Sequence, residues 1–584
     1  MNARRLSELH RLASAFEPLT TAEKKLLHAA ASGERQVCSQ TEGEAEDTPE
    51  LASAWSDDRA VRPELLHWLC TDTEARELVH SSGIWMEGAK FAGDLDLVGV
   101  EFCFRLALWR CAVAGDIKLA DARLRSLNLG GTWCRRFVGN RLEAKGSLIL
   151  SDGFCATAGA ELAPATISAT LDCSGGAFRS ESGSALLADY LEATNVWLRN
   201  GFRSKGPVRL VGAAIVGDLD CASGEFLAGP KPALNLDGAT IGGRLFLRDG
   251  FRAVGEVCLV NASIGRGIDC DGGRFSAGPE NALCARNARI AGSVSCSRRA
   301  SGATFSAEGL VVLSDASIDG SVVFEDATLA GAERTGRGGL DARRAKIGAG
   351  FTWRRLALRD AVELDLRQAT VGQFVDDPNS WPAADHLHLT GLEYRFMEIP
   401  RDAQRLERWR KDRLDWLRRQ PRDEFSPQPY EQLIKVLRDS GHEAEARSMA
   451  IARQDDLREY AGLGPFWRAW NRVLKVTIGH GYKPAWALGW GLLFLVAGIV
   501  IFSLAHRAGL LPASKKEHPG FSAFAYSLDT FLPIISFGQE GSWYPKASGW
   551  YGYGTLGYLW AHIAFGWVLT TLGVLGVTGL VRRE

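Results

Sequence analysis

The chain has 584 residues, too many for a single compact core. Its 68 Lys and Arg against 69 Asp and Glu exclude a global field suited to nucleic acid or to an acidic partner. The 64 glycines suit short strands and tight turns, and all 12 cysteines lie between Cys38 and Cys296 without a C-x-x-C pair, which excludes zinc and thioredoxin-type sites and fits reduced thiols in a cytoplasm.

The opening MNARRLSELHRLASAF is basic but has no long apolar core, so no secretory signal is expected. Residues 1–83 read as a helical N-terminal cap, with helices around LSELHRLASAFEPL, AEKKLLHAAAS and PELLHWLCTDTEARELVH and an acidic loop, SQTEGEAEDTPE, between them. A cap is expected because an exposed end strand invites edge pairing. Trp68 and Leu69 are assigned to its core.

Residues 84–375 repeat. The unit appears as GDLDLVGVEF from Gly93, GDIKLADARL from Gly115, GSLILSDGF from Gly146, GDLDCASGEF from Gly217, GRLFLRDGF from Gly243 and GSVVFEDATL from Gly320. Each unit has a glycine, an apolar-polar-apolar triplet, a turn pair such as DG or NA, and one further apolar residue. Alternation at period two predicts strands, and recurrence every roughly 11 to 15 residues is too short for helical-hairpin repeats. Two half-units of about 12 residues form one coil, and stacked coils build a β-solenoid on the order of 55 Å long. Leu95, Leu97, Ile117, Leu119, Leu245, Leu247, Val322 and Phe324 are predicted to point inward. Cys173, Cys221, Cys270 and Cys296 share the third triplet position and read as small buried hydrophobes rather than a redox ladder. At DGATI, NASI, NARI, DASI and DATL the units resemble pentapeptide-repeat and related right-handed solenoid proteins, with coils lengthened by inserts such as FLAGPKPAL. That resemblance implies a scaffold or interaction rod with a protein partner on one solenoid face.

Residues 376–480 form a helical linker. In RDAQRLERWRKDRLDWLRRQPRDE the interleaved Asp402, Glu407, Asp412 and Asp415 favour a solvated or subunit-facing helix over a nucleic-acid-binding one. QPYEQLIKVLRDSGHEAEARSMAIARQDDLREYA is a helical hairpin turned at Gly441, and it resembles a single tetratricopeptide-like hairpin. FWRAWNRVLKVTI, 466–478, suits an interfacial helix.

Residues 481–584 form a two-span membrane domain. Residues 485–505 are uncharged for 21 positions, and 556–580 are interrupted only by His562. Trp486, Trp490, Tyr558 and Trp560 sit near the ends, where amphipathic rings favour the headgroup layer. Arg468, Arg472, Lys475 and Lys483 precede the first span, and Arg582 and Arg583 follow the second. The positive-inside rule then predicts a multi-pass protein of the inner (plasma) membrane with both termini cytoplasmic and the lipid bilayer as a partner.

The stretch 521–545 is too apolar for an exposed loop and too interrupted to span, which predicts a re-entrant helix. Tyr526, Ser527, Leu528, Asp529 and Thr530 match the order found in the pore segment of two-helix cation channels of the potassium-channel kind. Ile535, Ser536, Phe537 and Gly538 resemble the filter that follows, and Tyr544 and Pro545 its exit. Pro533, Ser536 and Gln539 depart from that pattern, so potassium selectivity is not implied. What the resemblance implies is a candidate pore of Asp529, Thr530, Ile535, Ser536, Phe537, Gly538 and Gln539, enclosed by a homo-oligomer.

The sequence carries no G-x-S-x-G, H-E-x-x-H, phosphate-loop or dinucleotide motif, so no catalytic residue, cofactor or metal is assigned, and no residue supports an oxidoreductase. The expected fold is mainly β: a right-handed β-solenoid with an α-helical N-terminal cap, a helical linker and two C-terminal transmembrane helices with a re-entrant segment. Two functions stand: a membrane-anchored cytoplasmic scaffold, or an oligomeric ion channel whose pore is 521–545 and whose gate is the solenoid.

Overall fold

Each coil of the repeat region can close because one of its turns takes a left-handed residue, a conformation that Gly, Asn and Asp reach at little cost. A computed structural model describes residues 2–38, 48–359, 362–460, 485–514, 519–532 and 536–578. In it Asp121, Gly212, Gly238, Asn261, Asn287 and Asp315 all have φ between 56° and 65°. The next residue in each case is a buried alanine, from Ala122 to Ala316. The DGA, NAS and DAS signals are therefore these turns, with alanine fitting the tight inner corner.

The coils stack into a parallel β-solenoid of about 13 turns. Among the described residues the strands form two sheets, of 21 and 24 strands. Register is strict: Leu148 lies opposite Leu171, which lies opposite Val196, followed by Leu219, Leu245 and Ile268. All eight residues predicted to point inward are at most 1% exposed. The ladder runs past residue 375 and ends at the strand Glu393–Met397.

The core has a second, longer period. Over six coils one column reads Leu150, Cys173, Leu198, Cys221, Leu247, Cys270, so leucine and cysteine coils alternate there, while the buried Leu129 before it and Cys296 after it do not continue the alternation. Beside it runs a column of phenyl rings, Phe154, Phe178, Phe202, Phe226, Phe251, Phe275 and Phe305, with centroids 5.1 to 5.5 Å apart. In leucine coils the phenylalanine sits at the turn, where the amides of Phe154, Phe202 and Phe251 bond to the carbonyls of Ser151, Arg199 and Arg248. In cysteine coils Gly176, Gly224 and Gly273 make that turn bond, and the phenylalanine comes two residues later. A Cβ on these glycines would stand 2.8 to 3.0 Å from the ring. A small thiol and a bare glycine thus vacate the volume that a ring rooted on the strand needs, which keeps the ring column continuous.

The outer surface follows the same beat. Trp197 and Phe246 alternate with Asp172, Asp220 and Asp269. Arg199 lies 4.3 Å over Trp197 and pairs with Asp220 at 2.8 Å, and Arg248 lies 4.3 Å over Phe246 and pairs with Asp269 at 3.1 Å. Each arginine ties two successive coils.

The cysteines are free thiols, and Cys103 is the exposed one. Burial pushes the thiols of Cys70 and Cys111 up to about 12, and those of Cys173 and Cys221 well above their ordinary value. Because the thiolate is the reactive form, brief iodoacetamide treatment at pH 8 should add one label, at Cys103, by intact-mass measurement. Rapid labelling of Cys173, Cys221 or Cys270 would show that the coils do not hold this packing.

Helices cover both ends. At the start lie α1 (Asn2–Leu12), α2 (Thr21–Ser32), α3 (Pro63–Thr71) and α4 (Thr73–Leu78). Thr20 and Glu23 form a capping box on α2, and the buried Glu23 also receives Arg62 at 2.6 Å. The short strands Gln36–Val37 and Ala60–Val61 cover the first coil's edges at Ile84–Glu87 and Lys90–Phe91. Leu69 is buried, as expected, and Trp68 is half-buried against Phe16 at 5.7 Å. At the other end α5 (Ala403–Arg418) sets Trp416 5.6 Å from Phe374.

The chain divides into two units, Met1–Pro421 and Arg422–Glu584. The first part of the linker, α5, therefore belongs with the solenoid. The second unit opens with α6 (Gln428–Asp439) and α7 (Glu443–Tyr460), the predicted hairpin. Gly441 turns it at φ +81°, and Tyr430 donates to Asp456 at 2.7 Å. The expected interfacial helix, 466–478, lies outside the described residues.

Candidate pore segment

Three helices build the C-terminal region: α8 (Ala485–Arg507), α9 (Ala523–Phe531) and α10 (Gly549–Thr578). Among the described residues one stretch, Gly489–Arg507, is long and apolar enough to cross a membrane. The other expected span, 556–580, falls on α10, and its last two residues lie outside the described ones. α9 has nine residues, rising only about 13 Å, so it cannot cross a bilayer.

Glycines let the three helices approach. A Cβ at Gly498 of α8 would meet Ser527 Oγ at 2.3 Å and His562 Cε1 at 2.8 Å, and one at Gly566 of α10 would meet the Phe531 carbonyl oxygen at 2.0 Å. Small residues at such crossings are the usual means of close helix packing in lipid. The contact is polar inside. His562 and Ser527 are fully buried. His562 Nε2 is 3.1 Å from the Ser527 carbonyl oxygen and 3.2 Å from its Oγ, while Ser527 Oγ donates to the Leu495 carbonyl at 3.1 Å. A serine beside a histidine suggests a nucleophile and its base. Here the hydroxyl proton is committed to a backbone carbonyl and solvent has no access, so the pair is a clasp joining α8, α9 and α10.

After α9 the chain turns back around Asp529, which is 4% exposed. Its Oδ1 accepts from the Phe537 amide at 2.7 Å, and its Oδ2 accepts from the amides of Gln539 and Glu540, both at 2.8 Å. The two oxygens of a carboxylate have acceptor positions enough for three converging N–H groups. The carbonyls of the same turn are also engaged. The Gly538 carbonyl accepts from Ser542 Oγ at 2.8 Å, and that of Gln539 accepts from the amides of Ser542 and Trp543, both at 3.1 Å.

The predicted pore residues separate accordingly. Asp529 is the buried centre of the turn. Thr530 is buried and donates back to the Tyr526 carbonyl at 2.7 Å. Gln539 is turned inward, its Nε2 donating to the Gly520 carbonyl at 3.0 Å. Ser536, Phe537 and Gly538 form the exposed tip, with Gly538 at φ +71°. Ile535 lies outside the described residues.

In the sequence His562 stands out only as an interruption and Ser527 only for its place in the pore-segment order; that the two meet beside Gly498 is not legible there. The available signal was a polar residue in each of two apolar segments.

A mainly β solenoid with helices at both ends and an apolar helix of spanning length is the class that fold and site define. The chain matches no protein-family profile, no curated protein and no solved structure.

Proposed function

We propose that this protein is a membrane-anchored scaffold, with the solenoid offering its outer face to a protein partner in the cytoplasm and α8 and α10 crossing the inner membrane. One observation carries the reading: Leu493, Val496, Val500 and Leu504 stand exposed along one side of α8, while Phe502 and Ala505 on its other side are buried. A stripe of this kind is a poor surface in water and a good one in lipid. The exposed Trp550 and Tyr551 at the start of α10 suit a headgroup layer. With α9 returning between the spans, both termini are cytoplasmic.

The full chain should resist alkaline carbonate and float with liposomes, and Val496→Asp with Val500→Asp should abolish both behaviours. Complete release of the unsubstituted chain by carbonate would end the proposal. Reporters fused at Met1 and Glu584 should both read cytoplasmic.

The exposed tip Ser536–Gly538 favours a second reading, in which several copies bring these tips together around an ion path. The engaged carbonyls of Gly538 and Gln539 count against a carbonyl-lined filter at those two positions.

A further inference from the structure

Where α5 crosses the last coils it leaves a cavity of about 870 Å³, within the size range of small-molecule sites. Its lining mixes four kinds of group. Arg413, 5% exposed, gives its two terminal nitrogens to Asp376 at 2.7 and 2.5 Å, yet its Nε is buried with no partner among the described residues. Burial works against its charge, and Asp376 more than compensates, so the guanidinium pKa lies above its ordinary value.

Trp381 and Trp409 flank this guanidinium, their rings 5.6 and 5.5 Å from it. The Trp381 indole N–H donates to Asp376 at 2.8 Å, whereas that of Trp409 is buried without a partner among the described residues. Arg401, Arg405 and Arg408 line the same cavity and form no ion pair with any described residue. Of the acids present, Asp376 serves Arg413 and Asp402 caps α5 through the Arg405 amide at 2.9 Å, which leaves Glu398 and Asp412.

Buried donors without acceptors call for an acceptor-rich ligand. Unpaired arginines beside a helix N-terminus call for a phosphate. Both indoles line the cavity and supply aromatic edges for a flat ring to pack against, and the remaining carboxylates can accept from ring N–H groups. Phosphate alone, or an apolar ligand, would leave half of this lining unanswered.

We infer that the cavity binds a purine mononucleotide, its phosphate on Arg405 and Arg408, its ring against Trp381 and Trp409, and its ring N–H groups toward Glu398 or Asp412. The inference is independent of the membrane reading, since every residue involved lies in the first unit.

Calorimetry on the full chain in mild detergent, titrated with AMP and with GMP, tests it. One of the two should bind saturably at one per chain, and the matching nucleoside and inorganic phosphate should each bind at least about tenfold more weakly, a difference of 1.4 kcal/mol. Arg405→Gln with Arg408→Gln should weaken binding by about tenfold or more, with the unliganded melting temperature unchanged. Trp409→Phe removes one N–H while keeping a ring, and should also weaken it. Absence of saturable heat with both nucleotides, phosphate binding as tightly as the nucleotide, or undiminished binding in the arginine double variant and in Trp409→Phe would each overturn the assignment.

Discussion

Phe226→Ala should remove about 3 to 5 kcal/mol from the stability of the central coils. The ring is fully buried and stacks on Phe202 at 5.1 Å and Phe251 at 5.2 Å, so truncation opens a cavity in a single-file column that neighbouring coils cannot close without losing register. Because a solenoid's coils contact only their neighbours, the loss should be local, read as faster hydrogen exchange between residues 198 and 275 before exchange rises elsewhere. The alternating core adds a sharper expectation. Cys221→Leu alone should cost about 1 to 3 kcal/mol by overpacking beside the ring. Combined with Phe226→Ala it should cost clearly less than the sum, because leucine then enters vacated space. Additive penalties in urea denaturation would show that Cys221 and Phe226 do not share one volume.

Asp529→Ala should release the turn at 536–540 while leaving the solenoid unaffected. Three amides lose their acceptor, that of Gln539 in a buried bond and those of Phe537 and Glu540 in partly buried ones, which amounts to roughly 2 to 3 kcal/mol of local stability. Asp529→Asn should fall between, since an amide oxygen can accept from part of the set but lacks the charge. Protease cleavage between Ser536 and Pro545 in reconstituted protein reads this directly, and unaltered cleavage in the alanine variant would mean that the carboxylate does not hold the turn. Ion flux measured on the same liposomes separates the two functional readings. The scaffold reading expects no flux in the unsubstituted protein and none in the variant, and it expects a polar linker in place of residues 521–545 to be tolerated. The pore reading expects flux that Asp529→Ala abolishes.

Much of the fold was legible because the deciding interactions are local or periodic. An αL residue followed by alanine makes its turn wherever it occurs, so NAS and DAS could be read without knowing what lies beside them. Alternation at period two assigned Leu95, Ile117 and Leu245 to the interior for the same reason. The extension of the solenoid beyond residue 375 was missed because the last coil lacks only the leading glycine, Asp385-His386 standing before the triplet Leu387-His388-Leu389, whose two leucines are buried and whose strand pairs with the preceding coil as the others do.

Chain order alone determined a β-solenoid of two-unit coils, a capped start, a helical hairpin after α5, and an apolar helix near the end. Only tertiary structure decided the two-coil beat of the core, because whether a position takes Cys or Leu depends on where the neighbouring ring is rooted. It also decided the setting of the candidate pore residues. Spacing placed Asp529, Thr530 and Gln539 in one motif, but burial and hydrogen bonding turned all three inward and left Ser536, Phe537 and Gly538 exposed. A buried carboxylate must find donors, and the nearest were the amides of the turn that follows it.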